Sequence, residues 1–413
     1  AYTKRYLPYF IYSIILVLLL CFIFLNRYWL INRIPLTEKI GLVGNYSLTD
    51  LPEELEKKIS LGLLDLATIT ATDSGKKYTA VINKDIYWHD KTKFTANDVN
   101  YNFKDVKISI HNSQTIVFDL KTSYSPFPSL LSKPLFKKKL IGLGEYKTIK
   151  YQLKQGYLES IAITLNKTAD RPVIKLYKFY PTEEIARLAF KLGEINTLEN
   201  ISSIEGLAGN NLKISKKPNF KQLVGIFFNL NSPELSEKKI RQAIAYAIPD
   251  IFSDYTPALS VISPLSWAYN SEVKPYIQDL INAKKMLPPG KSLTISAVPQ
   301  YLKETEVIAD ILRKLGMAVN VRPEDRLPLN FQALVTAQNI PDDPDQYFLW
   351  HSTQQETNIT KYNSKKVDKL LEDGRRYIQK SDRLSAYLEF QKTISEDVPV
   401  IPLYYPYLYT ISR

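Results

Sequence analysis

The chain has 413 residues, of which 45% are hydrophobic, and a formal net charge of +12 at pH 7. This length is enough for two or more domains with their own cores, and the composition excludes a disordered chain. One cysteine excludes a disulfide framework, and three scattered histidines argue against a zinc site or a Cys-His nucleophile. The lysines are dispersed, so the positive charge indicates a solvated surface more than a nucleic-acid-binding patch.

The first predicted element is a membrane helix. Residues 7–25 form an uncharged run, LPYFIYSIILVLLLCFIFL, long enough to span the hydrocarbon core of a bilayer. Tyr28 and Trp29 follow it, at the place of an interfacial aromatic belt. A cleaved signal peptide would have a shorter apolar region ending in small residues, which this run lacks. We therefore expect residues 1–33 to be an uncleaved, single-pass anchor in the cell membrane, with the large domain extracytoplasmic.

The rest of the chain alternates strand and helix patterns, which predicts an α/β protein. Alternating apolar residues predict strands at 41–48, 78–83, 173–179, 223–230, 293–298 and 317–321, and a hairpin over 108–120. Helical spacing predicts helices at 51–66, 182–193, 236–248, 304–315, 365–376 and 382–396, and a further helix beginning at Ala96. In the helix at 182–193, the apolar set is Ile185, Leu188, Ala189 and Leu192. The strand, helix and strand between 293 and 321 predict a βαβ unit in a parallel sheet.

Four stretches carry a family resemblance, in a fixed order along the chain. They are WHDKTKFTANDV at 88–99, RQAIAYAI at 241–248, the loop IPDDPDQY at 340–347 and VPVIPLYY at 398–405. They resemble motifs of the extracellular solute-binding proteins of family 5, the oligopeptide- and dipeptide-binding proteins of ABC importers. A shorter turn, GLGEYK at 142–147, resembles the family's GTGPYK. Lys91 stands where the family has a glycine, so we expect a different backbone conformation after Asp90.

The resemblance implies a two-lobed, periplasmic-binding-protein-like fold of the class II, cluster C type, with mixed sheets and a hinge. Lobe 1 would comprise residues 34–221 with the C-terminal strand 401–413, and lobe 2 residues 222–400. It also implies a protein that captures peptides between the lobes and delivers them to the permease subunits of an ABC transporter. Such a protein is not an enzyme and needs no cofactor or metal. Two alternatives stay open: a membrane-anchored peptide-sensing ectodomain, and a nucleic-acid-binding surface protein.

The resemblance also points to candidate ligand-binding residues. In peptide-binding members, an aspartate in the loop pairs with the free α-amino group of the ligand. Alignment on Asp343 and the following proline places Asn339 or Ile340 at that position, so either Asp342 or Asp343 takes over or the ligand lacks a free amine. Further candidates in the cleft are Tyr46, Phe227, Asn229 and Trp350. Trp88 and His89, by contrast, are expected to be packing residues.

Overall fold

The computed structural model describes residues 36–413 apart from 168–171, 208, 210, 250–254 and 289, together with five isolated residues between 12 and 19. The strands are β1 (Leu36–Val43), β2 (Ala67–Thr72), β3 (Lys77–Ile82), β4 (Val106–Asn112), β5 (Thr115–Leu120), β6 (Tyr146–Lys154), β7 (Tyr157–Leu165), β8 (Val173–Tyr180), β9 (Thr197–Ile201), β10 (Lys213–Pro218), β11 (Gln222–Phe228), β12 (Thr256–Pro257), β13 (Ser292–Ala297), β14 (Ala318–Pro323), β15 (Ala333–Asn339), β16 (Val400–Tyr405) and β17 (Tyr407–Ser412). The helices beyond residue 35 are α1 (Glu53–Ile59), α2 (Leu63–Leu66), α3 (Phe127–Leu130), α4 (Glu183–Lys191), α5 (Lys238–Ala247), α6 (Leu280–Met286), α7 (Leu302–Lys314), α8 (Tyr347–Trp350), α9 (Lys365–Arg376) and α10 (Lys380–Asp397).

These strands form three sheets. Seven strands are ordered β10-β17-β9-β1-β8-β7-β6, six are ordered β12-β16-β11-β15-β13-β14, and four are ordered β2-β3-β5-β4. The two larger sheets contain both parallel and antiparallel pairs; for example, β13 and β14 are parallel and are joined by α7. The predicted α/β class, the mixed sheets and the βαβ unit are therefore confirmed.

The chain crosses twice between the seven-stranded and the six-stranded sheet, once from β10 to β11 and once from β16 to β17. The backbone N–H of Asn219 in the first crossing donates to the carbonyl of Pro406 in the second, at 2.7 Å. We call the two crossings the hinge. Lobe 1 denotes here the seven- and four-stranded sheets with their connections, and lobe 2 the six-stranded sheet with its helices. The predicted assignment of 401–413 to lobe 1 needs a correction, because β16 pairs with β11 in the six-stranded sheet and β17 alone belongs to the seven-stranded one.

Two of the motifs contact each other inside lobe 1. Nε2 of His89 lies 2.9 Å from the carbonyl of Gly144, and the N–H of Gly142 donates to its Nδ1 at 3.3 Å. A Cβ at either glycine would collide with the backbone at the end of α1, so the turn needs glycine there. Trp88 is 2% exposed, as expected for a packing residue. Lys91 has φ +67, so this lysine occupies the left-handed region that favours glycine.

Several predicted helices have the expected ends. The side chain of Thr182 accepts a hydrogen bond from the N–H of Ile185 at the start of α4, and Ser364 accepts one from Val367 at the start of α9. At Ala96 the expected helix is only a 3-10 turn, closed by a capping box between Thr95 and Asp98.

Two further expectations about helices are wrong. The helix predicted at 51–66 is broken into α1 and α2, because Ser60 donates to the carbonyl of Leu135 and Gly62 forms a bridge with Pro134. In α4, most of the predicted apolar set is exposed, with Leu192 at 75%. Ala189 is the one member of that set that is buried, and Ala186 and Phe190 are buried beside it, since all three face the core between α4 and β9.

The predicted membrane anchor lies outside the described residues, apart from the isolated positions between 12 and 19. Among the residues that are described, no helix has the length and apolar character needed to cross a bilayer.

Candidate functional site

The loop after β15, residues 340–346, lies next to the hinge, and we call it the acidic loop. The N–H of Ile340 donates to the carbonyl of Lys221 at 2.8 Å, so the loop starts against the first crossing. Its three carboxylates each have a cationic partner: Asp342 pairs with Lys221, Asp343 with Arg383 and Asp345 with Arg375. The surroundings of the three pairs differ, and this difference decides what each carboxylate can do.

Asp342 is the exposed member of the loop. Nζ of Lys221 lies 3.2 Å from Oδ1 of Asp342 and 2.6 Å from Oε2 of Glu53 in α1, and the Asp342 side chain is 68% exposed. We call Glu53, Lys221 and Asp342 the hinge triad. Burial opposes the charge of Lys221, but the two carboxylates outweigh it and raise its pKa. Asp342 shares its cation with Glu53, so a ligand cation can replace Lys221 at Asp342 without leaving Lys221 unpaired.

Asp343 is committed to the interior of lobe 2. Its Oδ1 accepts hydrogen bonds from Nη2 of Arg383 at 2.6 Å and from the N–H of Asp345 at 3.0 Å. The side chains of the pair are 10% and 15% exposed. Arg383 also donates to the carbonyl of Gly374 and lies over the ring of Trp267. Removing Arg383 from this carboxylate would leave a buried charge without a partner, so Asp343 is a structural residue.

Asp345 is the third carboxylate, and it contacts both lobes. Nε of Arg375 lies 3.0 and 2.9 Å from its two oxygens. The hydroxyl of Tyr124, from lobe 1, donates to Oδ2 of Asp345 at 3.3 Å. Burial first, and then the charge of Asp345, raise the pKa of Tyr124 to about 12, so its hydroxyl stays protonated and can donate at neutral pH.

Asn339, at the end of β15, belongs to a chain of side-chain amides that starts in the hinge. Nδ2 of Asn219 donates to Oε1 of Gln222 at 3.2 Å, and Nε2 of Gln222 donates to Oδ1 of Asn339 at 3.1 Å. Ile340 is 7% exposed and belongs to the core of lobe 2. Both positions that the alignment offered for the amine-pairing aspartate are therefore occupied by neutral side chains.

The other four candidates serve the fold. Phe227 and Trp350 are 0% and 1% exposed and lie in one core cluster. Their side chains therefore have no accessible surface for the ligand contacts expected of them. Asn229 bonds through its amide to the carbonyl of Phe331 and to the N–H of Asn231 at a turn. Tyr46 is half-buried in lobe 1, and its hydroxyl donates to the carbonyl of Val43 at 3.2 Å. Trp350 adjoins the acidic loop on its buried side, where its indole N–H donates to Oε1 of Gln346 at 3.1 Å, and Phe227 lies in the same core cluster as Ile340.

Lys221, Arg375, Arg383 and Tyr124 take part in the site and were missed from the sequence. Arg375 and Arg376 end α9, where basic residues are expected in any helix because they interact favourably with its dipole. The partner of Arg375 lies 30 residues earlier in the chain, and periodicity gives no information on such a pair.

The part of the chain that the structure describes holds no group of three or more His, Cys, Asp or Glu residues arranged to bind a metal ion. The cluster Asp342, Asp343 and Asp345 is instead divided among three separate cations.

Comparison with known proteins identifies the family. The model of the bacterial extracellular solute-binding proteins, family 5, matches residues 64–359, which is more than half of the chain. The chain belongs to this family. Among curated proteins, it is similar to the oligopeptide-binding protein AppA of Bacillus subtilis, with 26% identity covering 87% of this chain and 80% of AppA.

Solved structures of binding proteins share the fold. The substrate-binding protein CtaP of Listeria monocytogenes aligns with a TM-score of 0.76 at 21% identity, covering 92% of this chain and 94% of CtaP. AppA of Bacillus subtilis, solved in complex with a nonapeptide, aligns with a TM-score of 0.65 at 22% identity, covering 92% and 95%. The two-lobed fold predicted from the family 5 motifs is confirmed.

Proposed function

We propose that this family 5 protein captures a peptide between lobe 1 and lobe 2 and delivers it to the permease of an ABC importer. The observation that carries this proposal is the double crossing of the chain at Asn219 and Pro406, with the acidic loop beside it. Two lobes joined by short crossings can rotate about them and enclose a ligand. A peptide ligand is supported by the relative named as an oligopeptide-binding protein.

The finer parts of this proposal concern topology and localisation. Lobe 1 would extend from residue 34 to 221 and include β17, and lobe 2 would extend from 222 to the end of β16. Residues 1–33 would anchor the protein in the cell membrane, with both lobes on the extracytoplasmic side, which the uncharged run at 7–25 supports. Ligand capture involves no bond making or breaking, so the protein would act without a catalytic residue.

Asp342 and Asn339 are the groups of this site that we propose for recognition of the peptide terminus. Asp343 and Asp345 are held by arginines with little exposure, whereas Asp342 is exposed and shares its cation. If the peptide amine binds here as a cation, Asp342 is the carboxylate that accepts it. If the terminus is neutral, the amide of Asn339 is sufficient.

Thermal melting of the chain with a peptide library tests the proposal, because a ligand that binds only the native state raises the melting temperature. A rise that is lost on N-acetylation of the peptide and in Asp342→Asn assigns the amine to Asp342. A rise that is indifferent to both changes indicates a ligand without an amine contact. Asp325→Asn, which removes one exposed carboxylate elsewhere in lobe 2, is the matched control. No rise with any peptide would contradict peptide capture.

A further inference from the structure

A second contact between the lobes lies at the other end of the acidic loop from the hinge triad. The C-terminal end of α9 and the residues just beyond it lie against two turns of lobe 1, around residues 74–75 and 123–125. The N–H of Ser125 donates to the carbonyl of Arg375 at 2.7 Å, and Oγ of Ser123 donates to the carbonyl of Arg376 at 3.2 Å. Oγ of Ser125 donates to the carbonyl of Tyr377. Backbone groups of lobe 2 are thus satisfied by lobe 1.

The side chain of Arg375 is the centre of this contact. Its guanidinium pairs with both oxygens of Asp345, which also accepts the hydroxyl of Tyr124. The guanidinium carbon lies 3.9 Å from the ring centroid of Tyr347 and 5.4 Å from that of Tyr124. A planar guanidinium combines ring stacking with a paired carboxylate, which a lysine cannot reproduce. Arg375 therefore joins the acidic loop, α8 and lobe 1 through one group.

The shapes of the two surfaces also match at this contact. Gly75 in lobe 1 has φ +81, and a Cβ at this position would collide with the side chain of Ile378, just beyond α9. The left-handed backbone favours glycine here, and a Cβ would in addition displace the tip of the Ile378 side chain.

We propose that Arg375 is a positioning residue that couples lobe closure to the geometry of the acidic loop. We call Tyr124, Asp345, Arg375 and the backbone of residues 375–377 the latch. The latch joins groups from both lobes, so a rotation that moves the lobes apart at this end of the acidic loop would break it. Stabilising the closed state raises the affinity for a ligand that binds this state, and this effect requires no contact between Arg375 and the ligand. This inference rests on the proposed capture of a ligand between the lobes.

The test measures the distance between the lobes in the full chain, in mild detergent, by pulsed electron paramagnetic resonance. Spin labels are placed on cysteines replacing Lys107 in lobe 1 and Lys303 in lobe 2, in a Cys21→Ser background. Without peptide, we expect Arg375→Ala to have a longer mean distance between the labels and a broader distribution than the protein with an intact latch. Tyr124→Phe keeps the ring and should give a smaller shift in the same direction. Arg313→Ala, which removes an arginine paired with Asp310 on the surface of α7, should change nothing.

Peptide affinity provides the second readout. For a peptide that raises the melting temperature, Arg375→Ala should weaken binding about tenfold, mainly through faster dissociation, a typical coupling between sites. Distances and affinity both unchanged in Arg375→Ala would overturn the latch while leaving peptide capture intact. A lengthened distance in a chain that binds no peptide would support the latch and refute the proposed ligand. If Arg375→Ala does not fold, the distance distribution of Tyr124→Phe still tests the latch, because this variant removes only the hydroxyl that donates to Asp345.

Discussion

The hinge triad and the latch connect the same two lobes through the same acidic loop, yet they are built differently. At the hinge triad, the side chains of Glu53, Lys221 and Asp342 are 46%, 51% and 68% exposed. At the latch, Asp345 is 8% exposed and Arg375 is 21% exposed. Exposed ion pairs contribute about 0–1 kcal/mol, whereas removing one partner of a buried pair costs about 3–5 kcal/mol. Carboxylates three residues apart therefore have different roles: Asp342 can exchange its partner, and Asp345 cannot.

The largest expected effect is at Asp343, the buried carboxylate between these two. Asp343→Ala leaves the guanidinium of Arg383 buried without its carboxylate, so we expect a loss of about 3 kcal/mol in the free energy of unfolding. Urea unfolding followed by circular dichroism measures it. Asp342→Ala in the same loop should lose less than about 1 kcal/mol. Equal losses for the two variants would mean that burial does not separate their roles.

A substitution at Gly75 tests how closely lobe 1 packs against Ile378, next to the latch. Gly75→Ala introduces a side chain at positive φ and against Ile378, and we expect it to cost about 2 kcal/mol through strain and overpacking. Gly156, with φ +85 and open space around its Cβ position, provides the control. Gly156→Ala should cost only the backbone strain, about 1 kcal/mol. Thermal unfolding measures both, and the double variant Gly75→Ala, Ile378→Ala should recover the difference.

A pH titration tests the stability of lobe 1 at His89, away from the contacts between the lobes. Burial lowers the pKa of His89, whose neutral ring contacts Gly142 and Gly144. The unfolded chain therefore binds a proton more readily, so this contribution is complete above about pH 6.5 and declines as pH falls below it towards the lowered pKa. Melting temperatures between pH 5.5 and 7.5 should show this slope, and His89→Gln should reduce it. An unchanged slope in His89→Gln would assign the effect to other groups.

The smallest effect is expected at the hinge triad itself. Lys221→Ala should change the free energy of unfolding by about 1 kcal/mol or less, because all three side chains are largely solvated. The difference from the unmodified chain should vanish at about 1 M salt, where the screening length is about 3 Å. A large, salt-independent loss would mean that Lys221 stabilises the protein as strongly as the latch arginine does.

Much of the fold could be predicted from the sequence, because local signals determine it. The helix starts at Thr182 and Ser364 and the unit β13-α7-β14 follow from capping and periodicity. The break between α1 and α2 could not be predicted, since it depends on packing against residues 131–135. The buried face of α4 was predicted wrongly for a related reason. Helical spacing identifies an apolar face of a helix, but it does not show whether other elements pack against that face.

The site was predicted only in part, since its parts meet through contacts distant in sequence. The acidic loop could be identified from its motif, and with it Asp342, Asp343 and Asn339. Which of the aspartates is exposed and can exchange its partner depends on Arg383 and Arg375, and these lie 40 and 30 residues further along the chain than the aspartates they bind. Aromatic side chains suit ligand pockets and protein cores equally well, and Phe227 and Trp350 are core residues.

The most direct test of the account is the distance between the lobes measured while peptide is added to the Arg375→Ala chain. This variant should start from a longer and broader distance distribution, and a peptide that raises the melting temperature should shift it to the short distance of the unmodified protein. That result would show that ligand binding and the latch favour the same closed state. A distance that does not respond to any such peptide would contradict capture by closure of the two lobes.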